Sequence, residues 1–276
     1  MFSTDEWTGR TGDVWADEWR RTDRSHANLT PALNAAILAS APEAGRAIDL
    51  GCGAGETAIA LAIARPRLAV TGLDVSPNLI AVASQRGAGI ANLGFTVADT
   101  SAIDPATAAD LFVSRHGVMF FADPVAAFSK IRIAAQPGAR LVFSCFRARS
   151  ANRWAMLSDD LLGPTAPPAG YVPGPFGFAD RDFVADVLAR SGWAGAEVRP
   201  LDFDYLPGAG DDPIADAVDF FSRIGPVARA LAEQPADRRP ALIERLRELL
   251  APFAAHGVVA LPAAAWIWTA TAGAAV

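Results

Sequence analysis

The stretch AIDLGCGAGETA, residues 47–58, sets Gly51, Gly53 and Gly55 between an apolar run and the start of a helical pattern. A strand that ends in alternating glycines before a helix can turn tightly, bring its backbone against a ligand and present helix N–H groups to it. That makes a cradle for a small molecule. The dinucleotide fingerprint G-x-G-x-x-G places its third glycine one residue later than Gly55 does here. Asp49 also stands inside the strand end, where a carboxylate repels a pyrophosphate and attracts an ammonium or sulfonium group. The loop therefore favours a cationic ligand.

Working outward, further strands are expected at Leu68–Leu73, Leu93–Ala98, Ala109–Ser114 and Ala139–Phe146, with the first at Arg46–Leu50. Helices are expected at about 55–64, 77–86 and 123–135. Ser76 before Pro77 reads as an N-cap and first-turn proline. This βαβ alternation predicts a doubly wound, mainly parallel sheet. Asp49, Asp74 and Asp99 fall 25 residues apart, one at each of three successive strand ends. Asp74 stands where an acceptor for ribose hydroxyls belongs in such a sheet, and Asp99 is placed to accept from an exocyclic adenine amine. A single acid of this kind would be compatible with a nicotinamide cofactor; the three together with the glycine loop favour a mononucleoside carrying a positive charge.

The motifs AIDLGCGAGETAIALA, GLDVSPNLIAVA, FTVADTSAI, LFVSRHGVMFFADPVAAFSKI and PGARLVFSCF together resemble class I S-adenosylmethionine-dependent methyltransferases, closely over residues 46–146. Within the class the likeness is to small-molecule enzymes that act on quinones and other natural products. The resemblance implies a Rossmann-like sheet of seven strands whose last strand is antiparallel. It implies that S-adenosyl-L-methionine binds with its methionyl end on Asp49 and the backbone of Gly51, Cys52 and Gly53. Asp74 would take the ribose hydroxyls, Val75 one adenine face and Asp99 the adenine amine, with Gly55, Thr100 and Ser114 in the same donor site. S-adenosyl-L-homocysteine would be the product. Methyl transfer asks a protein mainly to align acceptor and methyl, remove water and sometimes take a proton. His116, just past the fourth strand, is the candidate base, its ordinary pKa near ~6.5 leaving it neutral at pH 7.

The flanks suggest a cover for an acceptor site. Trp7, Trp15 and Trp19 lie in the N-terminal segment, the last two spaced for one helical face. Trp15, Trp19, Arg115, Phe120, Phe121 and Trp154 are the candidate acceptor-binding residues; Arg115 could equally pair with a core carboxylate. His26 and His256 read as surface or packing residues. The expected organisation is one methyltransferase domain over 1–276, with N-terminal cap helices in 1–40, a cofactor-binding core in 41–146, and substrate-cap insertions at 147–178 and 211–254. A helix at Asp180–Ser191, a strand at Glu197–Tyr205 and a final strand near Val258–Thr271 complete it.

Composition limits the alternatives. A chain of 276 residues with 51% hydrophobic content can bury a large core. Its net charge of −6 provides no basic footprint for nucleic acid. The terminal run VVALPAAAWIWTATAGAAV carries Pro262 and Gly273 and reads as a buried strand, so no membrane insertion is expected. The opening residues lack the order of a secretion signal, which suggests the cytoplasm. Two cysteines, Cys52 and Cys145, form neither a metal spacing nor a disulfide framework, and no metal is expected. The expected function is O- or C-methylation of a small apolar or aromatic acceptor. A non-catalytic nucleoside-binding module and a nicotinamide-dependent dehydrogenase are the alternatives, and oligomeric state is not legible.

Overall fold

The computed structural model describes residues 7–100, 103–164, 166 and 169–273. Three helices, α1 (Arg10–Asp17), α2 (Trp19–Ser25) and α3 (Thr30–Ser40), precede a βαβ series. The series runs β1 (Ala44–Leu50), α4 (Glu56–Ala64), β2 (Arg67–Asp74), α5 (Pro77–Arg86), β3 (Leu93–Val97), β4 (Ala109–Arg115), α6 (Pro124–Ile133) and β5 (Ala135–Phe146). Then follow α7 (Arg153–Leu162), α8 (Arg181–Arg190) and β6 (Trp193–Ala209), and a helical group α9 (Pro213–Arg223), α10 (Gly225–Ala232) and α11 (Arg239–Leu250). A two-residue β7 (Ala254–Ala255) and the long β8 (Val258–Ala272) close the chain.

One sheet holds all the strands in the order β3-β2-β1-β4-β5-β8-β6, with β7 paired to β8. The strands from β3 to β5 are parallel, and β8 runs antiparallel to both β5 and β6. This is the expected Rossmann-like sheet, with the single reversed strand inserted between β5 and β6. Strand β4 shows why the centre forms: Leu111, Phe112 and Val113 are all fully buried, as a parallel strand covered on both faces requires. Residues 258–272 of the apolar C-terminal run form β8, where Trp268 is one of the largest fully buried side chains. No helix among the described residues is long and apolar enough to cross a membrane.

The chain order reverses between β1 and β4, and ligands in doubly wound sheets gather outside the strand ends at such a point. Here the loops after β1 and β4 touch: a side chain at Gly51 would meet the Gly117 backbone at 3.1 Å. Among the described residues, the connection from β3 to β4 carries a short 3-10 turn at Pro105–Thr107, and a cavity of about 280 Å³ is lined by residues of β1, β2 and that connection. One difference from the sequence expectation concerns residues 147–178: expected as a Pro- and Gly-rich insertion, they contain the helix α7, which buries Trp154, Ala155 and Leu157. Residues 165, 167 and 168 lie outside the described ones.

Candidate functional site

The glycine loop works by two different means. Gly55 has φ +86 and caps α4, and a side chain there would strike the Phe95 ring at 2.8 Å, so this glycine lets the loop pack on β3. Gly53 has φ +54, yet a side chain built on it would meet nothing within 4 Å. Its backbone faces open space. The loop is held there by Asp74, whose two carboxylate oxygens accept from the Gly53 N–H and the Ser76 N–H, each at 2.9 Å. Cys52 takes part through its backbone, donating to the Leu73 carbonyl at 2.9 Å, while its buried thiol, in no disulfide, donates to the Gly53 carbonyl at 3.7 Å.

Asp49 lies beneath this loop, only 1% exposed, with neither carboxylate oxygen in a hydrogen bond of normal geometry and only weak support from the Ala58 backbone. Burial raises its pKa to about 7, with the Arg115 guanidinium and the backbone of Ala58 drawing it down and the Asp74 charge adding to the rise. Burial likewise raises Asp74, which the N–H groups of Ser76 and Gly53 oppose. An uncompensated buried carboxylate is costly. A positively charged group placed over Gly53 would relieve it, so the chemistry of these residues fits a sulfonium- or ammonium-bearing ligand.

The remaining donor-site candidates separate. Asp99 borders the 280 Å³ cavity, whose walls include Ile48, Thr71 and Leu73. Thr100 is buried and Val75 half-buried at the same edge. Ser114 is different: it is fully buried, donates to the Leu50 carbonyl at 2.7 Å and accepts from the Gly117 N–H. It braces the two loops against each other rather than facing a ligand.

The acceptor-side candidates also divide. Arg115 forms ion pairs with Glu56 and, at 2.8 Å, with Asp23 of α2; Asp23 also meets Arg86 at 2.7 Å. That settles Arg115 on its structural alternative, a tie between α4 and the N-terminal helices. Trp15 and Trp19 do not share a helical face, because the chain bends at Glu18 between α1 and α2. Trp15 packs on Trp7 at 5.6 Å, and Trp7 reaches Phe120 at 5.2 Å. Trp19 instead lies under the Arg86 guanidinium at 3.9 Å. Phe121 turns to the core ring Phe128.

His116 has φ +58, a rare backbone state for a residue with a side chain. Its ring stacks on Phe146 at 4.1 Å with planes 8° apart. Burial, with His26 and Arg115 adding, pushes its pKa well below the ordinary value rather than leaving it near that value. Around Phe146 stand His26, Trp154 and Phe176 at 6.0, 5.0 and 6.1 Å. Tyr205 stacks on Trp154 and meets His26 edge-on. His26, expected on the surface or in packing, is buried in this group, 5.2 Å from His116. No sequence spacing links residues 26, 116, 146, 154 and 205; only the fold brings them together. His256 is exposed.

A family profile described as a methyltransferase domain matches residues 42–163. A trans-aconitate 2-methyltransferase of Methylobacterium nodulans is 31% identical over 104 residues, which cover 37% of this chain and 39% of that one. The chain thus spans well under half the length of this curated relative. Among solved structures, the YcgJ protein of Bacillus subtilis superposes with a TM-score of 0.55 at 15% identity, over 89% of this chain and all of that one. A phosphoethanolamine N-methyltransferase of Haemonchus contortus, solved with S-adenosyl-L-methionine, gives a TM-score of 0.55 at 17% identity over 99% of this chain and 60% of its own. These likenesses establish the fold.

Proposed function

We propose that the chain, whose residues 42–163 match a methyltransferase domain, is a class I S-adenosylmethionine-dependent methyltransferase and that it methylates a small, largely apolar or aromatic acceptor at oxygen or activated carbon. The observation that carries this reading is Asp49, a buried carboxylate with no hydrogen bond of normal geometry, beneath a glycine that faces open space. When bound, S-adenosylmethionine supplies an activated methyl group on a cationic sulfur. Asp49 and the Gly51–Gly53 backbone would hold the cationic end, Asp74 the ribose hydroxyls and Asp99 the adenine amine, the cavity beside Asp99 giving the ring apolar walls. The chain's own task is then positioning and exclusion of water, which together can lower a barrier by roughly 7–11 kcal/mol.

Residues 41–146 serve in this reading as the cofactor-binding core, with 1–40, 147–178 and 211–254 as a cap. The ion pairs of Asp23 and the Trp7–Phe120 contact hold the first of these segments over the site. Aromatic faces from the second and from β6 line the acceptor side. A nucleoside-binding module without turnover is the second reading, favoured by the burial of Asp49, Asp74 and His116.

Calorimetry with S-adenosylhomocysteine and with NADH separates donor classes: the first should bind and the second should not. Asp74→Ala should weaken S-adenosylhomocysteine by about 1.5–3 kcal/mol for each charge-assisted hydrogen bond removed. Unchanged affinity in that variant would place the ribose elsewhere. Tight binding with no methyl transfer to any of a panel of phenols and activated carbon acids would establish the module instead.

A further inference from the structure

The aromatic group around Phe146 contains more unpaired polarity than packing can explain. His26 Nε2, both ring nitrogens of His116 and the indole Nε1 of Trp154 are buried with no hydrogen-bond partner. Buried polar atoms are rarely left without one, because the cost is about 1–3 kcal/mol each. Four such atoms stand on three rings that all contact Phe146.

One of them has a defined state. His26 Nδ1 lies 2.9 Å from the Thr22 carbonyl and 3.0 Å from Ser25 Oγ, while the Ser25 hydroxyl itself donates to that carbonyl at 2.7 Å. A carbonyl can only accept, so Nδ1 carries the hydrogen. In the neutral ring Nε2 then holds a bare lone pair. Burial and the nearby Arg115 guanidinium keep the ring neutral, outweighing Asp23 and the Thr22 bond, at a pKa of about 4. So weak a base is suited to accepting a hydrogen bond and unsuited to removing a proton. Trp154 Nε1 is the opposite, a donor without an acceptor.

We propose that His26 Nε2 and Trp154 Nε1 are the acceptor-recognition pair, taking a planar aromatic ligand that offers a hydroxyl hydrogen to the imidazole and an oxygen lone pair to the indole. His116 stacks on Phe146 and Tyr205 on Trp154, so a ligand reaching the two nitrogens would have to part these rings and pack among them, in surroundings suited to a flat apolar body. The assignment rests on the proposed methyltransferase reading and narrows its acceptor to hydroxyl-bearing aromatics. It also gives the contact with the acceptor hydroxyl to His26, carried by the turn after α2, rather than to His116, the candidate base expected from the sequence, which packs on Phe146.

The test titrates the full chain, loaded with S-adenosylhomocysteine, with para-hydroxyacetophenone and with its para-methoxy analogue, which lacks the donor hydrogen. The hydroxy compound should bind about tenfold more tightly, the effect of one hydrogen bond to a buried partner. His26→Phe, which keeps a flat buried ring, should erase that preference while leaving S-adenosylhomocysteine affinity unchanged. In ¹⁵N NMR, His26 Nε2 should resonate as an unprotonated nitrogen and shift when the hydroxy probe binds. Equal binding of the two probes, no binding of either, a preference that survives His26→Phe, or a proton on Nε2 in the neutral ring would each overturn the assignment. Should S-adenosylhomocysteine itself fail to bind, the donor reading falls, and the same probe comparison on the free chain still decides the role of His26.

Discussion

Burial makes Asp49 a pH-sensitive residue of the donor loop. Its native pKa of about 7 stands above an ordinary 3.8, so between those values the folded chain holds a proton that the unfolded chain has lost. Stability should therefore fall as pH rises across that window, and Asp49→Asn should remove the dependence. Ligand binding runs the other way. A cation needs the charged carboxylate, so S-adenosylmethionine affinity should climb by up to about tenfold per pH unit below pH 7 and level off above it. Calorimetry across pH tests both the slope and its loss in Asp49→Asn; a flat profile in the parent chain would take Asp49 out of the site. Gly53 gives a second test at this scale. Gly53→Val forces a branched side chain into φ +54 and into the space left open above the loop, so it should abolish S-adenosylhomocysteine binding. Full affinity in that variant would show that the ligand passes elsewhere.

At the scale of elements, the helix α2 joins the N-terminal segment to the donor loop. Its Asp23 is shared between Arg86, on the helix after β2, and Arg115, at the end of β4. Arg86 also donates to the Ala54 carbonyl inside the glycine loop at 2.7 Å, and covers Trp19. All three charged side chains are no more than 20% exposed, so these pairs are screened far less than surface ones. Asp23→Asn should leave two mostly buried guanidinium groups short of an acceptor and cost about 1–3 kcal/mol. At this chain length that lowers Tm by about 2–4 °C for each kcal/mol. Thermal unfolding measures the loss, and limited proteolysis around residues 17–28 should quicken. An unchanged Tm with unchanged cleavage would mean that α2 is held by packing alone.

Across the whole molecule, the same helix reaches the other end of the chain. Arg21 pairs with Asp216 at 3.0 Å and Asp219 at 2.5 Å, and Arg24 pairs with Asp216 at 2.6 Å and donates to the Pro207 carbonyl. The N-terminal segment is thus tied both to the donor loop and to α9, which follows β6. Removing residues 1–24 should strip these partners together and expose the apolar faces of α9 and β6. We expect a lower Tm along with weaker S-adenosylhomocysteine binding, measured by calorimetry on the truncated chain. Weaker binding at an unaltered Tm would show instead that the segment acts only as a cover.

How much was legible in the sequence follows from the range of the forces involved. Alternating apolar residues, the Ser76-Pro77 cap and the loop glycines act within one element or one turn, so the strands from Arg46 to Phe146, the helices between them and the parallel sheet could be read locally. The acidic strand ends were legible for the same reason, since each is set by its own βα unit. The reversal of β8 was implied by the family resemblance, whereas the helix α7 and the bend at Glu18 depend on which surfaces remain to be covered once the core has formed. The acceptor side is the extreme case. His26, His116, Phe146, Trp154 and Tyr205 come from five separate elements and turns, and the missing hydrogen-bond partners of three of them exist only because the surrounding rings exclude water. Sequence determined the scaffold and the donor loop because backbone geometry is local; tertiary packing decided what His26 and Trp154 face, because burial is a property of the whole fold.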